Sequence, residues 1–154
     1  MGKRREGREA AVQYLFARDM HGEQADEGQL DTFWSIHTAK TSTRLYAESL
    51  IKGVLEHQNE IDDHIRGSIL NFRLERLAHV DRNVLRVAVY ELAFCADVPG
   101  PVILNEAIEV AKALSAGESG SFVNGVLDRL AKKLRPNEPK YSKAPAQAPE
   151  ASDD

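Results

Sequence analysis

PVILNEAIEVAKALSAGESGSFVNGVLDRL, residues 101–130, places apolar side chains at helical spacing on both sides of a short polar, glycine-bearing break. Ile103, Ala107, Ile108, Ala111 and Leu114 make one stripe, and Phe122, Val123, Val126, Leu127, Leu130 and Leu134 make a second. The spacing predicts two amphipathic helices, the later one over about residues 119–134, with Pro136 ending it. Pro99, Gly100 and Pro101 stop whatever precedes and start the earlier one, because proline is tolerated in a first turn and disfavours a helical residue before it.

The same periodicity extends upstream. A helix is expected over about residues 5–20, with Val12, Leu15, Phe16 and Met20 on its apolar stripe. An acidic loop follows, then a short helix with Leu30, Phe33 and Trp34. A third, opened by the cap candidates Thr41 and Ser42, carries Leu45, Tyr46, Leu50, Val54 and Leu55. Ile61, Ile65 and Ile69 stand at intervals of four on a fourth, and Phe72, Leu74 and Leu77 mark a short turn. Val84, Leu85, Ala88, Val89 and Leu92 are so nearly continuous that a helix starting near Asp81 should be central. No run alternates as a half-buried strand does, so the fold class is all-α, about seven helices. The natural division is a bundle of about residues 3–57 packed on one of about 59–135. Residues 136–154, with four prolines among alanine, lysine and acidic residues, are expected to form a disordered tail.

Length and composition bound the function. A chain of 154 residues fits one domain. No apolar run is long enough to cross a bilayer and no signal peptide opens the chain, so a cytoplasmic protein is expected. Cys95 is the single cysteine and sits in an apolar setting, which suggests an inert, buried thiol. The five histidines lack the i, i+4 pairing of a helical metal site, and no P-loop, GxGxxG or GxSxG occurs. Neither a metal nor another cofactor is expected, and no enzyme activity is. The net charge of −4 opposes a polyanion at long range, yet Lys3, Arg4, Arg5 and Arg8 outweigh Glu6 at the N-terminus.

Four separated blocks, KRREGREAAVQ, DRNVLRVAVYEL ending in DVP, VILNEAIEVAK and SFVNGVLDRL, together resemble the NusB family of bacterial transcription antitermination proteins in type, order and spacing, from about residue 3 to 135. The segment around residues 69–73 departs from the family pattern. The resemblance implies a two-lobed helical NusB-like fold. It implies a factor without catalytic activity that binds the single-stranded boxA element of nascent ribosomal RNA with the ribosomal protein NusE and assembles an RNA polymerase antitermination complex. A face suited to NusE could also pair with a second copy of the chain. Two readings compete: an RNA-binding module related to ribosomal RNA cytosine methyltransferases, whose cofactor domain and nucleophilic cysteine this sequence does not supply, and a dimerisation module that binds no RNA.

The resemblance also implies particular contacts. Arg4, Arg5 and Arg8, with Lys3 as an auxiliary, match an arginine-rich RNA-binding element, since guanidinium forks suit phosphate. Read without it, they are a solvated terminus. Replacing the three arginines is expected to weaken RNA binding and leave thermal stability nearly unchanged. Gly7 interrupts the run at a helix cost of about 1 kcal/mol relative to alanine, and an arm that orders on binding RNA is one consequence. Phe16, two turns beyond Arg8, can share its face or belong to the core. For Phe122, spacing favours a core anchor, whereas the resemblance implies the RNA face beside Glu118. Arg86 can neutralise Glu91 or reach a phosphate, and the resemblance favours RNA. Glu75 and Asp81 match acidic positions near the RNA and partner surface. Asn105 with Glu106, and Asn124 with Gly125, read as packing elements.

Overall fold

A helix with more apolar residues than one face can hold must be covered on every side, and α5 (His79–Phe94) is. Helices α1 (Lys3–His21), α3 (Thr41–Glu56), α4 (Gln58–Arg66), α6 (Gly100–Leu114) and α7 (Ser119–Leu134) all pack against it, and every residue from Asn83 to Val89 is buried. The short α2 (Gly28–Ile36) and a 3-10 turn at Leu74–Arg76 complete the order. The structure, a computed structural model, describes residues 2–22, 28–69, 73–115 and 119–138, and only the backbone of Lys3. Phe72, Glu118 and the tail from residue 139 lie outside the described residues.

The expected stripes form one core. Ile61 and Ile65 are fully buried and Ile69 nearly so, Val84 to Val89 fill the centre, and Val123, Val126, Leu127 and Leu130 close it from α7. At the Pro99–Pro101 break, Pro99 is the N-cap of α6 in extended geometry, and Pro101 falls in the first turn where its missing N–H costs nothing. Gly22 ends α1 at φ 62°, the left-handed backbone that glycine adopts without strain.

Several boundaries and faces differ from expectation. Thr41 and Ser42 lie inside α3, whose N-cap is Lys40 without a side-chain cap. The inward face of α3 is Thr43, Ala47, Leu50, Ile51 and Val54, which turns Leu45 outward to 63% exposure. Met20 is 61% exposed because Asp19, one turn beyond buried Leu15, takes the inner face of that turn. Helix α5 starts two residues before Asp81, with Ala78 as N-cap.

Gly7 does not break α1, which is helical from Lys3. A Cβ at Gly7 would lie 2.6 Å from Tyr46 Cδ2, so this glycine lets α1 and α3 approach under the tyrosine ring.

Candidate nucleic-acid interface

Helices α1 and α5 run antiparallel, since the start of α1 meets the end of α5 and the end of α1 meets its start. The basic segment therefore lies beside Glu91 and α6, and Phe16 beside the first residue of α5.

At the basic end, charge is drawn inward. The Arg8 guanidinium, 2% exposed, donates from Nε and Nη2 to the two Glu91 oxygens at 3.0 Å each. Arg5 makes the same fork to Glu106 at 2.7 and 2.7 Å, and Arg8 Nη1 is 3.8 Å from that carboxylate. Tyr46 Oη donates to Glu91 at 3.0 Å, and the Arg4 and Arg8 guanidiniums lie 5.4 and 5.8 Å from its ring centroid. Burial, and then the Glu91 carboxylate, push the Tyr46 phenol far above its ordinary range, so it stays a donor. Each acid buried here by α5 and α6 thus has a guanidinium from α1, as a buried charge requires.

Arg8 is consequently not placed as a surface phosphate contact. The same correction applies to Arg86, 6% exposed, whose Nε and Nη2 donate to Asp62 at 2.8 and 3.0 Å and whose Nη1 donates to Asp19 at 3.2 Å. Arg86 neutralises Asp62 and Asp19, not Glu91. Half-burial opposes the charge on Asp19, but the Asn83 hydrogen bond and the Arg86 and Arg82 charges outweigh it and hold its carboxyl below the usual value.

At the other end the side chains reach the surface. Phe16 is half-buried and meets the His79 ring edge-on, with centroids 6.0 Å apart at 84°. Asp81, in the first turn of α5, accepts from Ser119 Oγ, the first residue of α7, and Ser115 Oγ lies 2.9 Å from that hydroxyl. Phe122, one turn along α7 from Ser119, is half-buried and packs against the core. The structure thus gathers Phe16, Asp81 and the start of α7 around the first turn of α5. Glu75 stands on the 3-10 turn and accepts from Arg66 at 3.2 Å, a pair in open solvent.

Sequence reasoning missed His79, which looks like any lone histidine, and Arg135. The latter donates to the carbonyls of Glu91, Leu92, Cys95 and Val98 and to Glu138, which in turn accepts from the Gly100 amide. One side chain just past α7 thereby gathers carbonyls from the last turn of α5 and from the turn that follows it. Asn124 is exposed and nothing lies within 4 Å of a Cβ built at Gly125, so neither packs a helix. Gly120 instead faces Ile108. Burial, then Glu91 and Asp97, raise the pKa of half-buried Cys95, which disfavours a reactive thiolate. Among the described residues no helix is long and apolar enough to cross a membrane, and no group of three or more His, Cys, Asp or Glu could hold a metal ion.

Comparison with known proteins agrees with this architecture. A transcription antitermination protein NusB from Sorangium cellulosum is 48% identical over 134 residues, 87% of this chain and 95% of that protein. Among solved structures, T. maritima NusB is 39% identical with a TM-score of 0.75, covering 84% of this chain and 91% of that one. A crystal structure of the antitermination factors NusB and NusE in complex with double-stranded RNA contains a chain 26% identical, with a TM-score of 0.76, over 85% of this chain and 97% of that one. The sequence pattern that defines the NusB family matches residues 5–132, and the chain belongs to that family.

Proposed function

We propose that this chain is a transcription antitermination factor that binds RNA together with the ribosomal protein NusE. The observation that carries this reading is the family match over residues 5–132, which runs from the third residue of α1 to nearly the end of α7. A solved relative in complex with NusE and RNA supports both partners. The RNA bound is the single-stranded boxA element of nascent ribosomal RNA, and the assembly formed is the antitermination complex of RNA polymerase. The protein acts in the cytoplasm, by assembly and not by catalysis.

The RNA face runs along α1 and the adjoining starts of α5 and α7. Arg4, with Lys3 as an auxiliary, supplies cationic charge, Arg5 adds only what its fork to Glu106 leaves at the edge, and Phe16 and Phe122 supply rings for unpaired bases. Asp81 and Glu75 border this face and can accept from base amino groups, a role that the family resemblance also gives to Glu118. Arg8 and Arg86, as placed by their ion pairs, hold the helices that carry it. The chain works as one unit of two lobes, about residues 3–57 and 59–135, with α1 at the seam. RNA that touches two proteins at once raises the effective concentration of each, so neither surface needs high affinity alone.

A gel shift with boxA RNA, with and without NusE and at several salt concentrations, tests the reading. Binding strengthened by NusE and weakened steeply by salt is expected. No shift in the presence of NusE at low salt would overturn it.

A further inference from the structure

We propose that His79 is an RNA-binding residue: its ring and that of Phe16 form an L-shaped seat for one unpaired base, and its Nε2–H donates to the same nucleotide. This rests on the RNA reading above and adds to it a residue that the sequence did not single out.

The geometry comes first. His79 opens α5, its side chain is 40% exposed, and its ring stands at 84° to Phe16 with centroids 6.0 Å apart. Two half-exposed rings at right angles leave a corner that a flat base can enter, stacking on one ring and meeting the edge of the other. Both rings are held from behind. Phe16 stands on α1 one turn before Asp19, which Asn83 and Arg86 bond to α5.

His79 is held through a single nitrogen. Arg82 Nη2 lies 2.7 Å from His79 Nδ1, and a guanidinium can only donate, so at this distance Nδ1 accepts; the Asp19 carboxylate, 3.7 Å from the same nitrogen, stands too far to take a hydrogen bond from it. The proton of the neutral ring is therefore on Nε2, at the ring edge away from Arg82. Arg82 is itself fixed: it donates to the Leu74 carbonyl at 3.3 Å and pairs with Asp19 at 3.3 Å, with its side chain only 12% exposed. Arg82 is thus a positioning residue that sets the tautomer, and His79 presents an oriented N–H beside a ring face.

The seat also explains why the two ends of the face differ. The cationic end can bind any phosphate, so its contribution depends on salt. A stacked base and a single ring N–H aimed at it contribute with little change in counterion release, so His79 should set affinity without setting the salt slope.

The test uses the full chain with NusE and a fluorescently labelled boxA RNA. His79→Ala is expected to weaken binding about tenfold, with an unchanged slope of log affinity against log salt. His79→Phe, which keeps a ring, should recover part of that loss, and His79→Gln, which keeps a donor without a ring, should recover less. Thermal melts of all three within a few degrees of the parent would show that the fold is intact. The proposal is overturned if His79→Ala binds within twofold of the parent, or if its loss comes with a flattened salt slope. Should the parent itself fail to bind boxA RNA, it is the wider RNA reading that falls.

Discussion

The two ends of α1 treat polar side chains in opposite ways. Near its start Arg5 and Arg8 fork onto carboxylates that are 4% and 1% exposed, Glu106 and Glu91, and the Tyr46 ring lies beneath Arg4 and Arg8. Near its end Phe16 and His79 stay half-exposed, held in place by a network around Asp19. The helix rises about 18 Å from Arg4 to Phe16, roughly the span of five stacked nucleotides. A run of arginines in sequence is therefore not a count of charges on the surface. Part of this run fastens α1 to α3, α5 and α6, and only what remains at the edge is offered to a ligand.

Breaking the buried end should have the largest effect. Arg8→Met leaves Glu91 buried with Tyr46 as its remaining side-chain donor among the described residues, and should cost about 3–5 kcal/mol in denaturant unfolding. The double change Arg8→Met with Glu91→Leu should be more stable than Arg8→Met alone, because it removes the stranded charge; additive losses would show that the pair is not coupled. The expectation that changing all three arginines spares stability is corrected by the same burial. Next, Arg135→Met should cost about 2–3 kcal/mol, since several carbonyls at the end of α5 lose a charged donor. Hydrogen exchange should then accelerate in residues 91–98 before it does elsewhere.

Smaller effects sharpen the contrast. Gly7→Ala gains about 1 kcal/mol of helix propensity but drives a methyl into a tyrosine whose hydroxyl is fixed on Glu91, so a net loss of about 1 kcal/mol is expected. A more stable variant would mean that Tyr46 swings aside. At the far end, the Asp19 carboxyl titrates below its unfolded value. The stability it contributes is present above about pH 4 and lost as pH falls through the lower, folded value. Asp19→Asn should therefore flatten the acid limb of a stability–pH curve, while the parent steepens below that range.

Much of this was legible in the text of the chain. Intervals of three and four located the helices, the proline pair located the α5–α6 break, and the near-continuous apolar run located the buried centre. What periodicity does not carry is which acid meets which base across tens of residues: Arg8 to Glu91 and Arg86 to Asp62 are choices of tertiary packing. Helix faces depart from the apolar stripes where polar residues go inward, as with Asp19 displacing Met20 and Thr43 on the buried side of α3. His79 was missed because its significance lies in a tautomer fixed by Arg82 and a ring brought from α1. Its neighbours in sequence show the first only as an i, i+3 spacing, and the second not at all.

Backbone amide shifts in NMR titrations of the full chain with boxA RNA and NusE test the central claim most directly. Perturbations confined to the start of α1 and to residues 16, 79–82 and 119–122, beyond those that NusE causes alone, are the predicted result. RNA-dependent perturbations centred on the outward face of α3 around Leu45, with those positions silent, would contradict it.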